Sequence, residues 1–233
     1  MLLYIVRHGD PIYDPDTLTD LGRQQADALA NRFAVHGLDR VYSSPQGRAR
    51  ETAQPAADRL GLTVQILPWT REVWPEMTAV QPDGTRRFVT EMPGRIYRTE
   101  ENRHLGENWP GIDFLSAIHA GDTYRQIAEH SDAFLKELGY EREGGLYRIV
   151  RPNEEKVAVF CHAGLTMTWL PHLLGIPAHL FWAAFGLTHS GVTLLRWEND
   201  PAGYTAPKCL FLSDMSHIYK ENLPMLYTGT IPV

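Results

Sequence analysis

Leu2-Leu3-Tyr4-Ile5-Val6 is an unbroken apolar run that stops abruptly at Arg7-His8-Gly9. A run without polar alternation has the composition of a strand buried on both faces, as at the centre of a parallel sheet. It places a cation and an imidazole at the carboxyl end of that strand, and in open α/β sheets ligands bind in the crevice outside this end. Gly9 permits a sharp turn and a close ligand approach. A histidine beside an arginine has the means to attack phosphorus while the guanidinium neutralises phosphate oxygens. These eight residues equally fit a strand ending in ordinary surface side chains. The rest of the chain discriminates between the two.

Downstream, helix and strand patterns alternate. Asp10 to Asp16 reads as a polar loop, Thr19 as an N-cap, and Gln24 to Val35 as a helix with Ala26, Leu29, Ala30 and Phe33 on its apolar face, ended by Gly37. Asp39 to Ser43 is a short strand. Ser44-Pro45 breaks it and opens a second helix, with Pro45 near the first helical position, running to about Leu60 and closed by Gly61. Leu62 to Leu67 is a third strand, leading to Arg71-Glu72. Asp122 to Gly139 is helical, with Asp122 or Thr123 as its cap. Lys156 to Cys161 is a second strongly apolar strand, ending in His162-Ala163-Gly164. Gly191 to Trp197 and Lys208 to Ser213 are strands of a hairpin. Residues 74–120 lose periodicity and mix prolines, glycines, aromatics and both charges, and the tail from Ser216 to Val233 has no clear pattern. This alternation predicts a three-layer α/β domain over residues 1–233, with a largely parallel central sheet, helices on both faces, and the 74–120 segment inserted over the site like a lid.

Composition sets the outer bounds. A formal charge of -6 argues against non-specific nucleic-acid binding, which wants a basic surface, yet leaves room for a small anionic substrate at a local arginine cluster. Two cysteines, Cys161 and Cys209, are too few for a disulfide framework and are expected to be reduced thiols in a cytoplasmic protein. The apolar start is too short for a signal peptide and lacks a basic leader. Gly164 to Leu187 contains no Asp, Glu, Lys or Arg, but the Gly175-Ile176-Pro177 break predicts two buried helices, with no membrane span.

Two apolar strands thus end in a histidine followed shortly by glycine. Ser44-Pro45-x-x-Arg48-Ala49-x-Glu51-Thr52 adds a strand-to-helix junction, whose helix N-terminus favours anions. If these ends face one crevice, it collects two imidazoles, two or three guanidiniums and the Glu72 carboxylate, which is equipment for phosphoryl transfer without a metal. His217 and the other histidines lack metal-ligand spacing, and no metal or cofactor is expected. Gly9, Ser44 and His189 are further candidate pocket residues. The acidic Asp14-Pro15-Asp16-Thr17 is read as a turn, and Cys161 as a small buried strand-end residue.

In these motifs the chain resembles the histidine phosphatase superfamily, also called the phosphoglycerate mutase-like family. Four features carry the resemblance: Arg7-His8-Gly9; Leu18-Thr19-x-x-Gly22-x-x-Gln25-Ala26; Ser43-Ser44-Pro45-x-x-Arg48-Ala49-x-Glu51-Thr52; and Cys161-His162-Ala163-Gly164. It implies a catalytic set of His8, Glu72 and His162. His8 is the nucleophile that becomes phosphohistidine, Arg7, Arg48 and His162 bind the phosphoryl oxygens, and Glu72 is the general acid and later the base that activates water.

The chain also departs from the family pattern. His-Gly-x-Ser/Thr-x-Trp-Asn is replaced by His8-Gly9-Asp10-Pro11-Ile12-Tyr13-Asp14, so the asparagine's role does not pass to Asp14. The mutases' Glu-Arg-x-Tyr-Gly is replaced by Glu72-Val73-Trp74-Pro75-Glu76. That favours hydrolysis of a small phosphorylated metabolite over a phosphoglycerate-type phosphomutase. A non-catalytic relative binding phosphorylated ligands or a protein is a third alternative. Arg86, Arg87, Arg95, Arg98 and Arg103 either bind a second anionic group or form a solvated surface. The aromatic segment and the tail are candidate surfaces for a homodimer.

Overall fold

The structure is a computed structural model that describes residues 1–80, 84–227 and 231–232, the last four of these by backbone only. Residues 81–83 of the unpatterned segment and part of the C-terminal tail lie outside the described residues.

The expected frame is present. Strand β1 (Leu2–Arg7) leads to helix α1 (Asp20–His36), β2 (Arg40–Ser43), α2 (Gly47–Leu60) and β3 (Val64–Ile66). After the central segment come α3 (Ala120–Glu137), β4 (Lys156–Cys161), α4 (Ala163–Leu174), β5 (Val192–Arg196) and β6 (Lys208–Asp214). The sheet order is β6-β5-β1-β4-β2-β3. β1, β4, β2 and β3 are mutually parallel, while β5 pairs antiparallel with β1 and with β6, so the sheet is mixed but largely parallel.

Alternation along β1 explains the three layers. Leu3 and Ile5 point into one core and Tyr4 and Val6 into the other, all of them buried. The second core is closed by α1 and α2 through Leu29, Ala30, Phe33, Ala53, Ala56 and Ala57. The alanines on α2 let it lie close to α1. The larger core takes α3, α4 and the aromatic side chains of the central segment. Because β1 and β4 are covered on both faces, their apolar runs are continuous.

Local signals account for most element ends. Thr19 Oγ1 accepts from Gly22 N at 3.0 Å, and Gly61 closes α2 in the left-handed conformation at φ 66. Two boundaries differ from expectation. α2 starts at Gly47 with Gln46 before it, and Pro45 lies outside the helix. α3 begins at Ala120 behind a left-handed His119, so Asp122 sits in its first turn instead of capping it. The apolar 164–187 stretch does divide at Gly175, into α4 and the short helix Ala178–Trp182. No helix among the described residues is long and apolar enough to cross a membrane. Tyr140–Glu143 and Leu146–Ile149 form a hairpin that no apolar run announces, and Tyr204–Thr205 pairs with it inside the β5–β6 connection.

Candidate active site

The parallel register brings three strand ends together. Arg7 pairs with Cys161 and Ser43 with Phe160, and His8 N donates to Cys161 O at 2.9 Å while Ser44 N donates to Phe160 O at 2.9 Å. His8, His162 and the start of α2 therefore share one edge of the sheet, the ligand-binding edge of such folds. A cleft of about 880 Å³ opens there, lined by Arg7, His8, Arg48, Glu72, Trp74, Phe88 and others.

His8 is 2% exposed. Its Nδ1 lies 2.7 Å from Gly9 O. A carbonyl oxygen only accepts, so Nδ1 carries the proton and Nε2 keeps its lone pair. Arg48 Nε donates to that Nε2 at 3.3 Å. Burial, then the charges of His162 and Arg7, hold His8 well below the ordinary histidine value. The imidazole is thus neutral, with its free nitrogen beside a guanidinium.

Arg7 donates from Nη1 to Leu187 O at 2.6 Å and from Nη2 to His189 Nε2 at 2.7 Å, and its Nε is buried without a partner. Ser44 Oγ is 2.7 Å from His162 Nε2. With Ser44 donating, the His162 proton lies on Nδ1, which is also buried and unpartnered. Arg7 Nε, and in that tautomer His162 Nδ1, thus leave hydrogen-bonding capacity next to His8 that an oxyanion would satisfy.

Glu72 follows β3 by way of a 3-10 turn over Pro68–Thr70. Its N–H donates to Gln46 Oε1 at 2.7 Å, tying the turn to the start of α2. Its carboxylate accepts from Val73 N at 2.9 Å, from Leu165 N at 2.9 Å and from Gly164 N at 3.1 Å. It sits at the α4 N-terminus. Burial nevertheless pushes its pKa up, against the opposing pull of these N–H groups and Arg7. Gly164 is required there, because a Cβ would lie 2.0 Å from Phe88 Cζ and 2.6 Å from Glu72 Oε1.

The three candidate pocket residues lie behind the cleft wall, not on it. Gly9 packs on α1, where a Cβ would come within 2.7 Å of Gly22 O, so the close approach it permits is to backbone and not to a ligand. Ser44 is wholly buried against His162, and His189 against Arg7. The remaining motif residues hold the loop after β1. Gln25 Oε1 accepts from Asp10 N, Thr52 Oγ1 from Gly9 N, and Glu51 from Thr17 and Leu18.

Asp14 is exposed, and Asp16 occupies the site in its place. Asp16 accepts from Gly47 N at 2.6 Å, supplying α2 with the cap its own sequence lacks, and from Arg48 Nη1 at 2.6 Å. No motif marks it. Cys161 is buried, its thiol pushed up to about 12 by burial. Arg86, Arg87, Arg95, Arg98 and Arg103 do not line the cleft, and Arg103 pairs with Glu100. Among the described residues no cluster of three or more His, Cys, Asp or Glu is placed to hold a metal ion.

A sequence profile of the histidine phosphatase superfamily (branch 1) matches residues 3–206, and the chain belongs to that family. A probable phosphoglycerate mutase of Yersinia pestis is 34% identical over 80 residues, which is 30% of this chain and 37% of the relative's length. The fold is that of a phosphoserine phosphatase of Entamoeba histolytica (TM-score 0.62, 20% identity, 93% of this chain and 98% of the other). It is also that of a mycobacterial glucosyl-3-phosphoglycerate phosphatase (TM-score 0.56, 20% identity, 92% of this chain and 99% of the other).

Proposed function

We propose that the protein is a metal-independent phosphomonoester hydrolase that acts through a phosphohistidine at His8 on a small phosphorylated metabolite. The observation that carries this is the His8 tautomer: Nδ1 is committed to Gly9 O at 2.7 Å, and Nε2 keeps its lone pair at the cleft. In the first step Nε2 bonds to phosphorus as the ester P–O bond breaks. The departing oxygen takes the proton held on Glu72, whose raised pKa suits an acid. In the second step Glu72, now a carboxylate, takes a proton from water as that water attacks phosphorus, and the P–N bond breaks. Arg7, Arg48 and the unpartnered Nδ1 of His162 stabilise the phosphoryl oxygens through both steps.

On this reading one domain carries the chemistry and the 74–120 segment supplies the substrate-selecting wall. Two free cysteines are in keeping with a reducing, cytoplasmic compartment. The Yersinia relative keeps a phosphoglycerate-type mutase as the second reading. Enzyme quenched in alkaline denaturant, with substrate present and chelator in excess, should carry phosphate on His8 by mass spectrometry, stable to alkali and released by acid. Transfer of that phosphate to water in preference to a sugar-acid acceptor separates hydrolase from mutase. Absence of the adduct in turning-over enzyme would remove the proposal.

A further inference from the structure

The cleft has two unlike halves. Arg7, His8 and Arg48 line one part, and Trp74, Pro75 and Phe88, from the segment after β3, line another. Trp74 and Phe88 meet edge to face with ring centroids 5.9 Å apart, and Trp74 leaves 43% of its surface open. The wall adjoins the Glu72 carboxylate. Phe88 and Glu72 flank the same glycine, at 2.0 and 2.6 Å from where a Gly164 Cβ would stand. A group departing from phosphorus toward Glu72 therefore leaves along an aromatic surface.

Charge on this side is equally telling. Beyond Arg7 and Arg48, the cleft lining among the described residues holds one cation, Arg71, which is ion-paired with Glu76. Glu91 also lines the cleft. Beyond the phosphate-binding arginines, a second anionic group on the substrate would find only a half-exposed arginine that it must share with Glu76, and would meet the Glu91 carboxylate. A flat, uncharged ring would instead find the open surface of Trp74, backed by the buried Phe88 ring.

We infer that the natural substrate is a phosphomonoester whose leaving group carries a flat aromatic or heteroaromatic ring and no second anion, a nucleoside-type phosphate in preference to a phosphorylated carboxylic acid. This rests on the hydrolase reading.

Matched pairs test it with leaving-oxygen chemistry held nearly constant. Adenosine 5′-monophosphate against ribose 5-phosphate isolates the ring, and 3-phosphoglycerate against glycerol 3-phosphate isolates the carboxylate. We expect kcat/KM to gain about tenfold from the ring and to lose at least about tenfold from the carboxylate. Trp74→Ala should erase the ring's gain, and Glu91→Gln should shrink the carboxylate's loss. Circular dichroism and thermal melting establish that each variant is folded, and Trp74→Leu, which keeps apolar bulk without the flat face, replaces Trp74→Ala if that variant is not. A ring ratio of one or less, or a ring gain unchanged in the folded Trp74 variant, overturns the inference. If phosphohistidine still forms in that case, the hydrolase reading stands without it. If no substrate of either pair is hydrolysed and no phosphohistidine forms, the hydrolase reading fails and takes this inference with it.

Discussion

The two halves of the cleft are built by different means. The phosphate half rises from strand ends locked by sheet register, so His8, His162 and the start of α2 are fixed to one another by backbone hydrogen bonds. The leaving-group half hangs on a 3-10 turn and a short hairpin, Thr78–Val80 with Arg86–Phe88, joined to the rest through Glu72, Gly164 and Phe88. The difference teaches that the proposed nucleophile is positioned by sheet register, whereas the proposed proton donor and the substrate wall sit on irregular segments outside the sheet, Glu72 held there by backbone N–H groups of α4 and of its own turn. The first half should fail all at once, and the second by degrees.

The sharpest break is His8→Ala. With no nitrogen to form the P–N bond, the covalent route closes, and turnover should fall by about 10⁴-fold or more. Steady-state kinetics beside wild type, together with loss of the phosphoprotein signal, checks this. Near-normal turnover would remove the nucleophile from the phosphate half.

Glu72→Gln tests the other half. It should slow hydrolysis of alkyl phosphates by about 10²- to 10⁴-fold. The first step with p-nitrophenyl phosphate should be spared, because that leaving group departs without a proton. Phosphoenzyme should then accumulate, since the base for water is gone. Equal loss in the first step with both substrates would assign Glu72 to structure alone.

The same pair fixes the pH dependence of the first step. Burial lowers the His8 pKa, so the imidazole stays neutral far into acid and is lost as a nucleophile only below that depressed value. Burial raises the Glu72 pKa, so the carboxylic acid persists above the ordinary carboxyl range and is lost as pH climbs through the raised value. The single-turnover rate should therefore fall on the acid side as His8 is protonated and on the alkaline side as Glu72 loses its proton, with the alkaline limb displaced above the ordinary carboxyl range. In Glu72→Gln that limb should vanish with alkyl phosphates. An alkaline limb that survives would belong to another group.

Which parts were legible obeys the same division. β1 and β4 announced themselves because burial on both faces demands unbroken apolar runs, and Arg7, His8 and His162 stand where those runs stop. Glu72 is singled out by the family resemblance, which its spacing after the third strand suits, but the three backbone donors around its carboxylate are not legible, because two of those come from α4 about ninety residues on. Asp16 could not be told from Asp14, since both sit in one polar loop and only tertiary packing sends one to Arg48 and the other to solvent. Phe88 and Trp74 lie in a stretch whose aromatics show no period, for they pack on one another, and Phe88 on Gly164, and not along an element face.

Gly164→Ala acts where the two halves meet. The added methyl must displace the Phe88 ring and the Glu72 carboxylate, an overpacking that should cost about 1–3 kcal/mol of stability. Denaturant unfolding measures that cost. Activity should drop more on alkyl phosphates than on p-nitrophenyl phosphate, because the nucleophile is untouched while the proton donor shifts. A uniform drop on both would place the damage in the phosphate half.

The smallest expected effect refines the phosphate half from behind. His189 touches no cleft surface, yet its Nε2 accepts from Arg7 Nη2 at 2.7 Å, and its Nδ1 lies 3.4 Å from Asp10 Oδ1. Burial and Arg7 hold its pKa down at about 3, so it remains a neutral acceptor across the working pH range. Arg7 keeps its bond to Leu187 O, so His189→Ala should loosen the guanidinium without freeing it. Loss of one such hydrogen bond should weaken inhibition by inorganic phosphate about tenfold. His189→Gln, whose amide oxygen also accepts, should recover much of this. If both variants bind phosphate as wild type does, Arg7 is held by Leu187 alone. If both lose it equally, with lowered melting temperatures, His189 supports the loop and not the arginine.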